Sequence, residues 1–294
     1  MNILVIGSKG QLGRCLNDKF ENTIHNVTYS CRKTMDISNF KSTRIKINII
    51  KPDVVINASA YTAVDKAEDD VENANLVNNL AVANIATICK ELDCWLIHLS
   101  TDYVFDGTES TPYAEESLTN PKSVYGRTKL KGEQAIQSIK CKYLIIRTAW
   151  VFSEYGSNFF KTMLKLGTKK KEISVVGDQF GCPTYAQNIA DVIVLILNTK
   201  NFKELDSQIY HFCGSYSCSW HEFVNLIFNE AEQLNINTPK TIISIKSSDY
   251  PTAASRPLFS VLDCSKIRND FDIPLYNIQD DIISVLKSLT NDTI

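Results

Sequence analysis

The segment "VYGRTKLKGE" (residues 124–133) sets Tyr125 four residues ahead of Lys129. On a helix, positions i and i+4 share one face, so a phenol and an ammonium reach the same cleft. A free tyrosine has a pKa of about 10, too high for proton exchange near neutrality. A positive charge about 5 Å away, at an effective dielectric near 20, contributes roughly 3 kcal/mol, or about two pKa units. The pair is therefore expected to give a general acid whose phenol is lowered by Lys129, while the same ammonium holds the ribose of a nicotinamide cofactor. Taken alone, the spacing is also compatible with two surface side chains.

A tuned phenol needs an orienting partner and a redox cofactor. Thr101 closes the strand-like run in "HLSTDYVFDG" (98–107), where the C-terminal end of a parallel strand faces a cofactor crevice. Its hydroxyl can donate to a keto oxygen and meet the Tyr125 oxygen. "GSKGQLG" places Gly7, Gly10 and Gly13 between a first strand and a first helix. Glycines there permit a tight turn, and a helix N-terminus offers free N–H groups to a pyrophosphate.

The end of the second strand selects the cofactor. Ser30, Cys31, Arg32 and Lys33 stand there with no acid before Asp36. Two cations without a carboxylate favour NADPH over NADH, since a 2′-phosphate seeks a cation and free ribose hydroxyls seek an acid. The alternative is that Arg32 and Lys33 are exposed loop charges.

These groups must be carried by an α/β framework. Apolar, β-branched runs occur at 2–7, 26–31, 53–60, 94–100 and 142–152, with helical patterns between them, clearest at 71–92 and 125–139. Near-continuous apolar strands alternating with helices predict a Rossmann-type, doubly wound parallel sheet. After Phe152 the rhythm changes to short strands and helices near 157–168, 186–198 and 219–235, with Ser219 and Glu222 forming a capping box. The expected division is a dinucleotide-binding domain over 1–150, with 186–198 packing back on it, and a smaller α/β substrate-binding domain over 151–294.

The 294 residues suffice for a substantial core, and a net charge of -2 gives no field that favours nucleic acid or an anionic membrane. The longest apolar run, at 191–199, is too short to span a bilayer. The start, "MNILVIGSKG", reads as a strand and turn rather than a secretory leader. Nine cysteines occur singly, none in a CxxC pair, which suits free thiols in a reducing cytoplasm.

The combination resembles the extended short-chain dehydrogenase/reductases, through "GSKGQLG", "KPDVVINASAYTAVDKAE" (51–68), "LSTDYVFDG" (99–107), "VYGRTKLKGE", "RTAWVF" (147–152), "DQFGCPT" (178–184) and "TAASRP" (252–257). The last three point within that superfamily to reductases of nucleotide-linked 4-keto sugars. The resemblance implies reduction of dTDP-4-dehydro-L-rhamnose to dTDP-L-rhamnose with NADPH or NADH. It implies that Gly10, Gln11 and Leu12 touch the pyrophosphate, Asp36 and Ile37 the adenine, and that Ala60, Tyr61 and Thr62 lie along the cofactor. It further implies Tyr125 as proton donor, Lys129 on the nicotinamide ribose, Thr101 and Asp102 on the sugar, Trp150 packed against it, and Arg256 on the diphosphate. Trp150 as a core residue and Arg256 as a surface ion pair remain open.

Some relatives of this kind are dimers bridged by magnesium through acidic residues. Cys15 and Gln187 stand at the corresponding positions, and neither is a hard-cation ligand. No metal is therefore expected, and a monomer is the simplest expectation, with a metal-free homodimer as the alternative. Two other functions share the pattern: a 4-reductase for a UDP-linked or amino sugar, and a non-catalytic subunit like the regulatory subunit of methionine adenosyltransferase.

Overall fold

A computed structural model describes residues 1–21 and 23–291. Its strands are β1 (Asn2–Ile6), β2 (Asn26–Ser30), β3 (Val54–Asn57), β4 (Trp95–Thr101), β5 (Lys142–Thr148), β6 (Val151–Phe152), β7 (Glu172–Val176), β8 (Phe180–Gly181), β9 (Thr184–Tyr185), β10 (Gln208–His211), β11 (Cys218–Ser219) and β12 (Thr241–Ile245). Its α-helices are α1 (Gln11–Phe20), α2 (Phe40–Ile50), α3 (Val64–Asp69), α4 (Val71–Asn75), α5 (Ala81–Glu91), α6 (Val124–Ile139), α7 (Phe159–Gly167), α8 (Ala186–Leu197), α9 (Trp220–Gln233), α10 (Ser265–Phe271) and α11 (Ile278–Asn291).

Six strands form one sheet in the order β10-β5-β4-β3-β1-β2, with every neighbouring pair parallel. The alternation of side chains explains why these strands read as unbroken apolar runs. Ile3, Val5, Val54, Ile56, Leu144 and Ile146 enter one core, on the face covered by α1 and α8. Leu4, Ile6, Val55, Leu96 and Ile145 enter a second core, on the face covered by α2, α5 and α6. Both faces are dry, as a doubly wound parallel sheet requires. β2 and β3 flank β1 on opposite sides, so the chain reverses its direction of winding there and opens a crevice at the strands' C-terminal ends.

A third core gathers Phe152, Phe160, Phe223, Val224 and Ile227 with Ile282, Val285 and Leu286 of α11. The expected capping box on α9 is present: Ser219 Oγ accepts from Glu222 N, and Glu222 accepts from Ser219 N. Helix α8 packs against α1. The edge strand β10, which comes from the second half of the chain, joins the central sheet.

Three local expectations change. The helical pattern over 71–92 is α4, a five-residue π-helical turn (Leu76–Leu80) and α5. The π turn carries Asn78, whose carbonyl oxygen would lie 2.2 Å from a Cβ at Gly132, so α6 approaches this wide turn closely only because it has glycine there. The run 142–152 breaks after Thr148, because Trp150 adopts φ 46° and cannot continue a strand. The strand-like stretch 53–60 is regular only over Val54–Asn57.

Candidate active site

The crevice beside β1 begins with the glycine turn. Gly7 has φ 88°, and a Cβ there would meet the backbone of Ala58 and Ser59 at 2.8 Å. A Cβ at Gly13 would sit 2.2 Å from the Gly7 carbonyl oxygen, so Gly13 serves helix-to-turn packing and does not line the cleft. Gly10 begins α1 without a side-chain cap, and the first turn of α1 carries no acid. The uncapped amides and the positive dipole end suit a pyrophosphate.

From this turn a cleft of ≈ 550 Å³ runs along the strand ends. Gly7, Gly10, Gln11 and Leu12 form one end of its wall, and Arg32, Asp36 and Ile37 stand beside them. Ala60, Tyr61 and Thr62 continue the wall after β3, and Tyr125 and Lys129 of α6 complete it. Asn78 fixes the middle portion: its Oδ1 accepts from Tyr61 N at 2.8 Å and its Nδ2 donates to Tyr61 O at 3.1 Å. Lys9, Ser59, Ser100 and Thr148 also line the cleft, together with Gly156 and Ser157, which lean in from beyond β6. Gln11 ties that segment down, its Oε1 accepting from Ser153 Oγ at 3.0 Å and Asn158 Nδ2 at 2.7 Å.

Arg32 faces Asp36, with Nε 3.7 Å from Oδ2, and its side chain is 89% exposed. The Asp36 carboxylate is held below its usual range, chiefly by Ser38.

Helix α6 carries the central pair. Ser123 caps it by accepting from Gly126 N at 3.1 Å, and Glu68 Oε1 accepts from Val124 N at 2.8 Å. A Cβ at Gly126 would lie 2.1 Å from the Tyr103 carbonyl oxygen, so the helix start is seated directly on the short helical turn 102–104 after β4. That seating places the half-buried Tyr125 ring edge-on to Tyr103 with ring centroids 5.6 Å apart. Thr101 Oγ1 donates to Asp102 Oδ1 at 2.9 Å and accepts from Tyr103 N at 3.2 Å.

The electrostatics differ from the expectation of a phenol lowered by lysine. Burial pushes Tyr125 up to about 12, with Thr101 pulling it back and the Asp102 charge pushing further. Lys129 is 1% exposed, and its Nζ turns to the carbonyl of Leu99 at 2.6 Å and to His98 Nε2 at 3.3 Å. Burial brings Lys129 down to about 8, against the opposing pull of Glu133. Sharing a helix face brought the two side chains to one cleft but did not aim the ammonium at the phenol. Asp102, almost fully buried, is pushed by burial up to about 6, although the hydrogen bond from Thr101 favours its charge. Its Oδ2 has no hydrogen-bond partner.

Behind the pair lies a buried ion pair that the sequence reading did not identify. Glu133 and Arg147 are 1% and 3% exposed, with Nη2 and Nε of Arg147 2.7 and 3.1 Å from the Glu133 oxygens. Ser100 Oγ donates to the same carboxylate. The pair joins α6 to β5, and a buried charge pair of this kind is costly to break.

Thr101 and Asp102 lie next to the cleft without lining it, and Trp150 and Arg256 also stand off its wall. Trp150 stacks face to face on Trp220, with ring centroids 3.4 Å apart, and a Cβ at Gly181 would come within 2.5 Å of its indole. Gly181 of the "DQFGCPT" segment thus makes room for the indole. Arg256 donates to both oxygens of Asp65, at 3.0 and 2.6 Å. Cys15 is fully buried, and desolvation raises its thiol far above the usual value, while Gln187 Oε1 is buried without a partner.

Comparison with known proteins gives the family of the chain. The family model described as the RmlD substrate binding domain matches residues 1–291. The chain is 40% identical over 279 residues to the dTDP-4-dehydrorhamnose reductase of Salmonella typhimurium, covering 94% of this chain and 93% of the relative. It is 37% identical over 297 residues to the Escherichia coli K12 protein of that name, covering 100% and 99%. A crystal structure of a dTDP-4-dehydrorhamnose reductase from Clostridium acetobutylicum superimposes with a TM-score of 0.91 at 32% identity, covering 99% of this chain and 100% of the other. The Bacillus anthracis enzyme, solved in complex with NADP, gives 0.90 at 30% identity, covering 98% and 99%. With a matching family model across almost its whole length, the chain belongs to the RmlD family of dTDP-4-dehydrorhamnose reductases.

Proposed function

We propose that the protein reduces the C4 keto group of dTDP-4-dehydro-L-rhamnose to give dTDP-L-rhamnose, with NADPH or NADH. The observation that carries this reading is the placement of Tyr125 and Lys129 on one wall of a cleft opened by the uncapped start of α1. The glycine turn and the α1 amides would hold the pyrophosphate, Asp36 and Ile37 the adenine, and Ala60, Tyr61 and Thr62 the middle of the cofactor. When bound, the cofactor supplies a hydride to C4.

The protein supplies position and a proton. Because burial raises the phenol, Tyr125 is fully protonated at neutral pH and can donate to the oxygen that becomes an alkoxide. As the phenol loses its proton, the Thr101 hydroxyl can turn from Asp102 towards the phenolate. Lys129 offers N–H donors to ribose hydroxyls from the same wall. Residues 1–150, completed by α8 and by β10 at the sheet edge, would act as the cofactor platform and the rest of 151–294 as the substrate domain, with Trp150 against the sugar and Arg256 on the diphosphate.

All nine cysteines are free thiols and no helix among the described residues is long and apolar enough to cross a membrane; both support a cytoplasmic setting. The buried Cys15 thiol and Gln187 amide support a monomer, or a dimer without a metal bridge. Sedimentation with EDTA and with magnesium tests this: a dimer lost on chelation overturns it. Absorbance at the nicotinamide band, with dTDP- and UDP-linked 4-keto sugars and either cofactor, tests the reaction. Oxidation with dTDP-4-dehydro-L-rhamnose is expected. Oxidation with UDP-linked sugars alone reassigns the substrate, and none with any sugar indicates a non-catalytic subunit.

A further inference from the structure

Lys129 does not end at the cleft; a buried chain of side chains continues behind it. His98 of β4 is fully enclosed, with Nε2 3.3 Å from Lys129 Nζ and Nδ1 3.2 Å from Asn57 Nδ2. The orientation of Asn57 is fixed from its other side: its Oδ1 accepts from both Ser59 N, at 3.2 Å, and Ser59 Oγ. The amide nitrogen must therefore face His98 as a donor. A neutral imidazole that accepts at Nδ1 carries its proton on Nε2. That proton points at Lys129, where an ammonium has only donors to offer and a neutral amine has a lone pair. Leu99 O accepts from Nζ in either state.

We propose that His98, locked by Asn57 as the Nε2–H tautomer, is a positioning residue that lets Lys129 release its proton to solvent before a cofactor binds and regain it when a cofactor ribose draws the amine forward. The second half rests on the nicotinamide reading above. The other ionisable groups around Lys129 do not reproduce the effect. Glu133, one turn along α6, favours the charged lysine but is paired with Arg147 of β5. Tyr125 stands on the same helix, and Asp102, beyond β4, is turned towards Thr101. Neither Asn57 of β3 nor Asn78 of the π turn is ionisable. Burial lowers both His98 and Lys129, the latter to about 8, consistent with a neutral imidazole beside a lysine that releases its proton more readily than a free one.

Two measurements on the cofactor-free protein decide the matter. The imidazole nitrogen spectrum of selectively labelled enzyme is expected to show His98 as the Nε2–H form, and the Nδ1–H form overturns the proposal without any variant. The Lys129 13Cε signal, followed against pH, is expected to titrate upward by about one unit or more in His98→Gln, whose carbonyl can face the ammonium. The same direction is expected in Asn57→Leu, which removes the donor that fixes the tautomer, adds no charge and keeps the ring. A titration unmoved in whichever variant folds overturns the proposal. Binding of NADPH to the wild type, followed by its fluorescence, is read separately. Failure to bind defeats the oxidoreductase reading, whereas binding with an unmoved lysine defeats only the role of His98.

Discussion

Arg256 grips Asp65 through two guanidinium nitrogens and so fastens the 252–257 loop to helix α3, whose first turn contains Asp65. Ala254 N donates to the same carboxylate at 3.1 Å. If Arg256 is to receive a substrate diphosphate, the phosphate oxygens compete with Asp65 for one cation. Asp65→Asn is then expected to tighten dTDP binding about five-fold, the equivalent of a partly exposed ion pair worth about 1 kcal/mol. Arg256→Ala should weaken it. Calorimetric titration of dTDP checks both, and an Asp65→Asn protein that binds no better places the diphosphate elsewhere.

Tyr125→Phe retains the ring packed edge-on to Tyr103 and deletes the phenol proposed to donate the proton. Turnover should fall about 100- to 10,000-fold with NADPH affinity intact. Steady-state rates and fluorescence titration are the measurements. Turnover within a few-fold of the parent would remove the phenol from the mechanism.

Lys129 gives a pH dependence of stability whose sign follows from its environment. Its folded value, about 8, lies below the ordinary 10.5, so the unfolded chain holds more proton between those limits. The lysine's contribution to stability therefore rises as pH increases through that window. Lys129→Met should be more stable than the parent by ~3 kcal/mol at pH 7, with the difference vanishing above the upper limit. Denaturant unfolding of both proteins at pH 7 and 10 tests this. A constant difference would show that the ammonium is solvated.

At the end of the cleft beside β2, Arg32→Ala should weaken NADPH a few-fold more than NADH, because only NADPH has a 2′-phosphate to lose a cation. Arg32 is exposed and its Asp36 contact is long, so the guanidinium is free to turn towards a ligand. Equal losses for the two cofactors, measured by fluorescence titration, would return Arg32 to the status of a loop charge.

What could be read from the sequence was local. The glycine turn, the Ser219 cap and the start of α6 depend on neighbours within a few residues, and the structure places them where spacing and chemistry put them. Strands β1, β3, β4 and β5 were legible because burial on both faces leaves few polar positions. Strand β10 was not, since four residues acquire strand identity only from pairing with β5, more than sixty positions earlier. The same limit applied within the site. Spacing put Tyr125 and Lys129 on one face, but the ammonium's direction depends on His98 and Leu99 of another element. The Glu133–Arg147 pair likewise needs α6 and β5 together before either charge has a meaning.

The Trp150–Trp220 stack also has an optical consequence. The chain has three tryptophans, and Trp95 lies in the core beneath Phe202, shielded from ligands. The other two are close enough to exchange excitation, so their shared emission is sensitive to anything that separates the rings or covers Trp150. If the sugar nucleotide docks against Trp150 as proposed, its arrival should alter the native fluorescence while the Trp95 background stays fixed. Phe substitution at Trp220 would leave Trp150 as the sole responsive emitter, which makes the protein its own unlabelled titration sensor.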